Sequence, residues 1–190
     1  MLARALPLSI ALATLAAAGC TPAPASSLEA TLASPSAPLP LTDGKQLVLP
    51  AERGKVIVLG FYAAWCPVSR KMLGSRGAVS TPSRVDRGLM VVAVDEEDAR
   101  ADAERFARAA GHGGLVAFDG EGSFIRAMKV ETVPALVLVG RDGVVRRVHP
   151  GYHGEDDLTV LGREVDALLA APKAGAAPPA DDAGKPSAGG

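Results

Sequence analysis

Aromatic side chains are scarce: one Trp, two Tyr and four Phe in 190 residues. Much of the 48% hydrophobic content is therefore alanine, which buries little area per residue. A core must come from a few dense aliphatic runs. Neither sign of charge dominates, because 20 Lys and Arg face 21 Asp and Glu for a net charge of −1. A nucleic-acid groove or an anionic membrane surface calls for a basic excess, so neither partner is expected. No internal repeat is present, and the length suits one domain of ordinary size. Cysteine is nearly absent, with Cys20 and Cys66 alone. A single disulfide between them is arithmetically possible, but the setting of Cys20 argues against it.

That setting is an address. Arg4 precedes a run from Ala5 to Ala18 that is apolar apart from Pro7, Ser9 and Thr14, and the small residues Ala17, Ala18 and Gly19 lead into Cys20. The run is shorter than the ~20 residues of a spanning helix and has the pattern of a secretory signal. A Cys directly after small residues resembles a bacterial lipoprotein cleavage site, with Ala17 where Leu is usual. The resemblance implies a signal peptide over 1–20, lipidation at Cys20 and a location outside the cytoplasm, at the periplasmic side of the cell envelope. Residues 21–40, rich in Pro, Ala and Ser, are expected to be a flexible tether, and 172–190 a tail of the same character. The folded part is expected over 41–171.

Within it, "DGKQLVL" from Asp43 predicts a turn and a short strand. "GKVIVLGFY" from Gly54, "LMVVAVD" over Leu89 to Asp95 and "PALVLVG" from Pro134 are near-continuous apolar runs, as strands buried on both faces require. "RDG" after the third predicts a hairpin into "VVRRVH". Helical spacing puts Ala99, Ala103, Phe106, Ala107 and Ala110 on one face, stopped by Gly111. A last helix is predicted from about Glu155 to Leu169, its acidic start suiting the positive end of the dipole, with Leu158, Leu161, Val165 and Leu168 as its core stripe. This order predicts an α/β fold, a central mixed sheet with helices on both faces.

Cys66 falls just after the first buried strand and at the start of a helix, "WCPVSRKM". Free N–H groups and the helix dipole stabilise a thiolate there, and Pro67 suits the first helical turn. Arg70, Lys71 and the Ser69 hydroxyl are expected to add to that effect. The residues alone leave open a buried, inert Cys instead.

The stretch "LTDGKQLVLPAERGKVIVLGFYAAWCP", then "VVAVDEEDARADAERFA", then "AFDGEGSFIRAMKVETVPALVLVGRDGVVRRVHPGY" resembles the thioredoxin fold over essentially the whole folded part, and within it the extracytoplasmic TlpA-like thiol–disulfide reductases. The resemblance implies a reactive thiol at Cys66, a cis peptide at Val133–Pro134, and a peptide groove bordered by Trp65, Pro67, Val133 and Pro134. It also marks departures. Ser69 stands where the family has its second Cys, which resolves the mixed disulfide. Gly60 stands where relatives carry a buried Asp or Asn, and Met72 where some carry a Glu. His112, His149 and His153 are scattered and are expected at the surface or in loops. A Cu(I) site on Cys66 and Met72 lacks a second Cys or a nearby His, and a one-Cys peroxidase expects Thr or Ser where Ala63 stands. No cofactor and no metal are expected.

Two functions follow as expectations. One is thiol–disulfide exchange through Cys66 as a monothiol in a C-x-x-S site, with Ser69 as its partner side chain. Its partners would be protein thiols or disulfides and a low-molecular-weight thiol, with the membrane reached through the lipid anchor. The alternative is a redox-inactive module that binds peptides or proteins.

Overall fold

The structure is a computed structural model and describes residues 32–96 and 100–171. The expected signal peptide, Cys20 and the tail over 172–190 lie outside the described residues.

In chain order the strands and helices are β1 (Leu32–Ala33), β2 (Leu39–Pro40), β3 (Gln46–Leu47), β4 (Val56–Tyr62), α1 (Pro67–Ser75), α2 (Pro82–Asp86), β5 (Leu89–Asp95), α3 (Arg100–Ala109), β6 (Leu115–Phe118), α4 (Ser123–Ala127), β7 (Ala135–Val139), β8 (Val144–Pro150) and α5 (Glu155–Ala170). Six strands form one sheet in the order β1-β8-β7-β4-β5-β6. β4 is parallel to β5 and antiparallel to β7, and β5 is parallel to β6. The three aliphatic runs are thus the three adjacent central strands. β4 is buried at every position, as its unbroken apolar run requires.

Strand alternation divides the core between the two faces. Ile57, Leu59 and Phe61 face a layer with Leu39, Leu49, Phe124 and Met128. Val56, Val58 and Tyr62 face Met72 and Leu73 of α1, Ala103 and Ala107 of α3, and Leu158, Leu161 and Val165 of α5. On α5 it is Leu169, not Leu168, that is buried with them; Leu168 packs at the edge of the layer. Two of the scarce aromatics meet at one joint of the second layer. Tyr62 stacks on Phe106 with ring centroids 5.5 Å apart and donates its hydroxyl to the Ala103 carbonyl at 2.7 Å.

Two features depart from the sequence reading, and a third is one it did not address. The folded part begins before 41: β1 pairs with β8, Ser34 N–H donates to the Gly143 carbonyl at 3.1 Å, and Leu39 is 1% exposed. Leu41 then bridges Ala117 on β6, so the chain from 32 to 42 touches both edges of the sheet. Residues 32–40 therefore belong to the domain rather than to the tether, because their few leucines and free backbone groups find partners on the sheet.

His112 is the second. It lies in the loop between α3 and β6, but that loop buries it. Its Nε2 lies 2.7 Å from the Leu115 carbonyl and so carries the proton, which leaves Nδ1 to accept from Arg76 Nη2. Arg76 is itself buried, and burial pushes its guanidinium down to about 10. α1 ends just before Arg76 and the His112 N–H bonds the Ala107 carbonyl of α3, so two negative helix ends lie near this cation.

The third is Arg141, in the hairpin turn and 7% exposed. Its guanidinium donates to the carbonyls of Leu168 (3.3 Å), Leu169 (3.1 Å), Arg87 (3.1 Å) and Gly54. One side chain ties the end of α5, the start of β5 and the turn into β4 together.

Candidate active site

β4 ends at Tyr62, and the Cys66 N–H closes a turn onto the Ala63 carbonyl at 3.1 Å. Cys66 is the extended residue that precedes α1 (φ −88°, ψ 114°), and Pro67 opens the helix, where its missing N–H leaves nothing unsatisfied. The side chain makes no cap hydrogen bond as a thiol; its donors favour the thiolate. Burial pushes the Cys66 thiol up, but the Ser69 N–H, the Ser69 hydroxyl and the Val68 N–H together hold it below the ordinary thiol value. At 9% exposure the residue sits just below the surface.

Ser69, one turn on, is wholly buried beneath it. Its Oγ accepts from the Ala63 N–H at 3.3 Å, which leaves its own proton for the Cys66 sulfur. The hydroxyl is thereby oriented by the same turn that positions the thiol.

Pro134 is buried at the start of β7, and the Val133–Pro134 peptide is cis. Because Ala135 pairs with Phe61, this corner lies at the end of the sheet from which Cys66 emerges. Val133 is half-buried against the first core layer. Trp65 is 68% exposed beside the thiol. Asp95, which the sequence reading did not single out, is buried at the same end, in register with Tyr62.

The region behind the thiol is apolar. A Cβ placed on Gly60 would lie 3.5 Å from the Met72 methyl carbon and 3.6 Å from Leu136. Met72 is fully buried, so the two departures from the family pattern meet in space, and the thioether occupies the volume that a longer residue at 60 would enter.

Two expectations about charge need correction. Arg70 does not sit by the sulfur; its guanidinium lies 4.5 Å over the Phe106 ring, where it extends the Tyr62 stack. Lys71 points along the outer face of α1, and neither cation is among the groups that lower the Cys66 thiol. The stabilisation is local, from backbone and hydroxyl. His149 pairs with Glu164 at 2.7 Å and His153 with Asp157 at 3.2 Å. Among the described residues, no three His, Cys, Asp or Glu side chains are gathered to hold a metal.

Comparison with known proteins agrees with this geometry. The family described as Redoxin matches residues 21–163. Thiol-disulfide oxidoreductase ResA of Geobacillus thermodenitrificans is 26% identical over 117 residues, 61% of this chain and 66% of that protein, so the match spans just under two thirds of that relative. The dsbF protein of Mycobacterium tuberculosis is 25% identical with a TM-score of 0.59 over 71% of this chain and 98% of its own. A thiol:disulfide interchange protein of the thioredoxin family from Chlorobium tepidum has a similar fold, with a TM-score of 0.61 at 21% identity over 73% of this chain and 97% of that one. Strand order, the thiol at the head of α1 and the matched residues agree on one assignment: the chain belongs to the redoxin family, as a TlpA-like member with a thioredoxin-like fold.

Proposed function

We propose that this protein carries out thiol–disulfide exchange through Cys66 alone, outside the cytoplasm and held at a membrane by lipid on Cys20. The observation that carries the reading is the place of Cys66 at the head of α1, 9% exposed, with the wholly buried Ser69 one turn behind it, where the Ser69 and Val68 N–H groups and the Ser69 hydroxyl favour a thiolate. The Cys66 thiolate attacks one sulfur of a substrate disulfide. A bond forms to Sγ, the substrate S–S bond breaks, and the departing thiolate takes its proton from solvent. Ser69 cannot attack the mixed disulfide, so an external thiol or a second substrate Cys resolves it. Trp65 and Pro67 flank Cys66 in the chain and Val133–Pro134 lies at the same end of the sheet, and an extended peptide would lie between them. The relatives named as thiol–disulfide oxidoreductases support the chemistry. The second reading, a peptide-binding module without turnover, draws on Ser69, Gly60 and Met72, which remove the resolving thiol and leave the region behind it apolar.

Alkylation of the folded protein against pH separates the two. A lowered thiol means more thiolate at a given pH, so the iodoacetamide rate should reach its midpoint below that of a free Cys, near pH ~8.5. Ser69→Ala removes the hydroxyl donor but keeps both N–H groups, and the midpoint should move up. An unreactive Cys66, or a midpoint at or above the free-thiol value, rules out the exchange reading and leaves the binding module.

The anchor rests on the sequence from Arg4 to Cys20. Cys20→Ser, expressed in a bacterial host, should leave the protein in the soluble fraction or as an uncleaved precursor. A mature chain that begins downstream of Cys20, read by mass spectrometry, would falsify lipidation there.

A further inference from the structure

Starting at Val68, two residues after the thiol, a cleft of about 590 Å³ opens between the outer face of α1 and the loop from Tyr152 to Glu155. Val68 lines it, and the Val68 N–H is one of the donors on Cys66. At a rise of 1.5 Å per residue, the wall from Val68 to Ser75 is about 10 Å long. The volume lies within the range of about 300–1,000 Å³ usual for small-molecule sites. These dimensions suit a molecule the size of a tripeptide.

The charges on the walls are arranged for a zwitterion. Lys71 stands on the α1 side and Glu155 on the loop side, both exposed. Many surface cations of this protein have a carboxylate partner, such as Lys45 with Asp43, Lys55 with Glu52 and Arg84 with Asp166. Lys71 and Glu155 make no ion pair among the described residues. The other charged pair at the rim is already closed, because His153 gives its backbone N–H to Asp157 at 2.7 Å and holds the same carboxylate through its ring at 3.2 Å. One cation and one anion are thus left facing the cleft, with the exposed Val68 at the end near the sulfur.

We infer that this cleft seats the body of a zwitterionic low-molecular-weight thiol of tripeptide size, a carboxylate on Lys71 and the ammonium on Glu155, while its sulfur is joined to Cys66. The inference rests on the monothiol reading and supplies the thiol that position 69 lacks. Attack of the Cys66 thiolate on a protein–small-thiol mixed disulfide, at the small thiol's sulfur, forms the Cys66–small-thiol bond and releases the protein thiolate, which is protonated by solvent. The thiolate of a second small-thiol molecule then attacks the seated sulfur. The bond to Sγ breaks, Cys66 leaves as the stabilised thiolate, and the symmetric disulfide departs. One free small thiol is consumed and one protein thiol is released, and the disulfide bond passes from the mixed pair to the symmetric one.

Glutathione is the probe. The rate of Cys66 modification is measured by quenched mass spectrometry with oxidised glutathione and with uncharged bis(2-hydroxyethyl) disulfide, and the ratio of the two is compared among variants. Lys71→Glu and Glu155→Lys should each lower the ratio by about fivefold, the scale of an exposed ion pair, while Lys129→Glu, the same charge change far from the cleft, should leave it unchanged. The Glu155→Lys result is decisive, because oxidised glutathione is net negative and simple electrostatic steering would raise the ratio. A raised or unchanged ratio in Glu155→Lys, or an unchanged one in Lys71→Glu, overturns the seat and leaves the monothiol reading standing. If neither disulfide modifies Cys66 in the folded protein, the monothiol reading itself fails and the seat with it.

Discussion

In the Ser69→Cys variant, the introduced thiol closes a disulfide with Cys66, and insulin reduction by dithiothreitol accelerates at least tenfold over the wild type. The structure already has the asymmetry that such a pair needs. Cys66 is 9% exposed and reachable, whereas Ser69 is wholly buried one helical turn behind it. A thiol at 69 would attack the mixed disulfide from within the same helix, at an effective concentration in the millimolar range or above, and would remove the wait for an external thiol. Sulfur in place of oxygen adds little volume, and the main local loss is the acceptor for the Ala63 N–H. The rate should stay well below that of a dithiol relative, because no proton carrier stands at 60 or 72 and general acid–base help is commonly worth about 10²–10⁴-fold. Mass spectrometry after mild oxidation gives the check. Two free thiols in the folded, oxidised variant would show that position 69 does not lie behind Cys66 as described.

Arg141→Ala should be the most damaging substitution outside the core. The guanidinium satisfies four carbonyls from three separate segments in a nearly buried position. A buried acceptor left without its donor costs about 1–3 kcal/mol, and water can reach only part of the site. The net loss should be about 3 kcal/mol, a large share of the ~5–15 kcal/mol that holds a domain together. With a urea dependence of about 2 kcal/mol per molar, the unfolding midpoint should fall by about 1.5 M. Arg141→Lys should recover less than half, since a single ammonium cannot span carbonyls on opposite sides of a guanidinium fork. A midpoint shift below about 0.3 M in Arg141→Ala would mean that the clamp is redundant.

The parts of the fold that sequence revealed are those with a period or a run. Leu89–Asp95 and the strand after Pro134 stand out because buried strands need unbroken aliphatics, and the last helix because its leucines repeat at helical spacing. What escaped was short or depended on distant partners. β6 has only Leu115–Phe118 after a glycine-rich stretch, and α2 and α4 are single turns with no measurable period. β1 lies in a Pro- and Ala-rich segment and pairs with a strand more than a hundred positions away, which no local pattern can indicate. The site shows the same division. Cys66, Pro67 and Pro134 are legible from their neighbours along the chain. The contact of Met72 with Gly60, the stacking of Arg70 on Phe106 and the burial of His112 arise only when separate elements pack. Arg70 was misplaced for a related reason: closeness in sequence to Cys66 suggested a charge interaction, but the aromatic face on α3 is the better partner.

The N-terminal segment has a mechanical consequence. A pull along the chain from before residue 32 meets the two β1–β8 pairs and the bonds of Ser34 to Gly143 first. Leu39 and Leu41, which are held in the core and on the opposite sheet edge, come under load only after those have given way. β4, Cys66 and α1 lie further along the chain again. Tension on the segment therefore loads these edge pairs before it reaches the strand that carries the thiol.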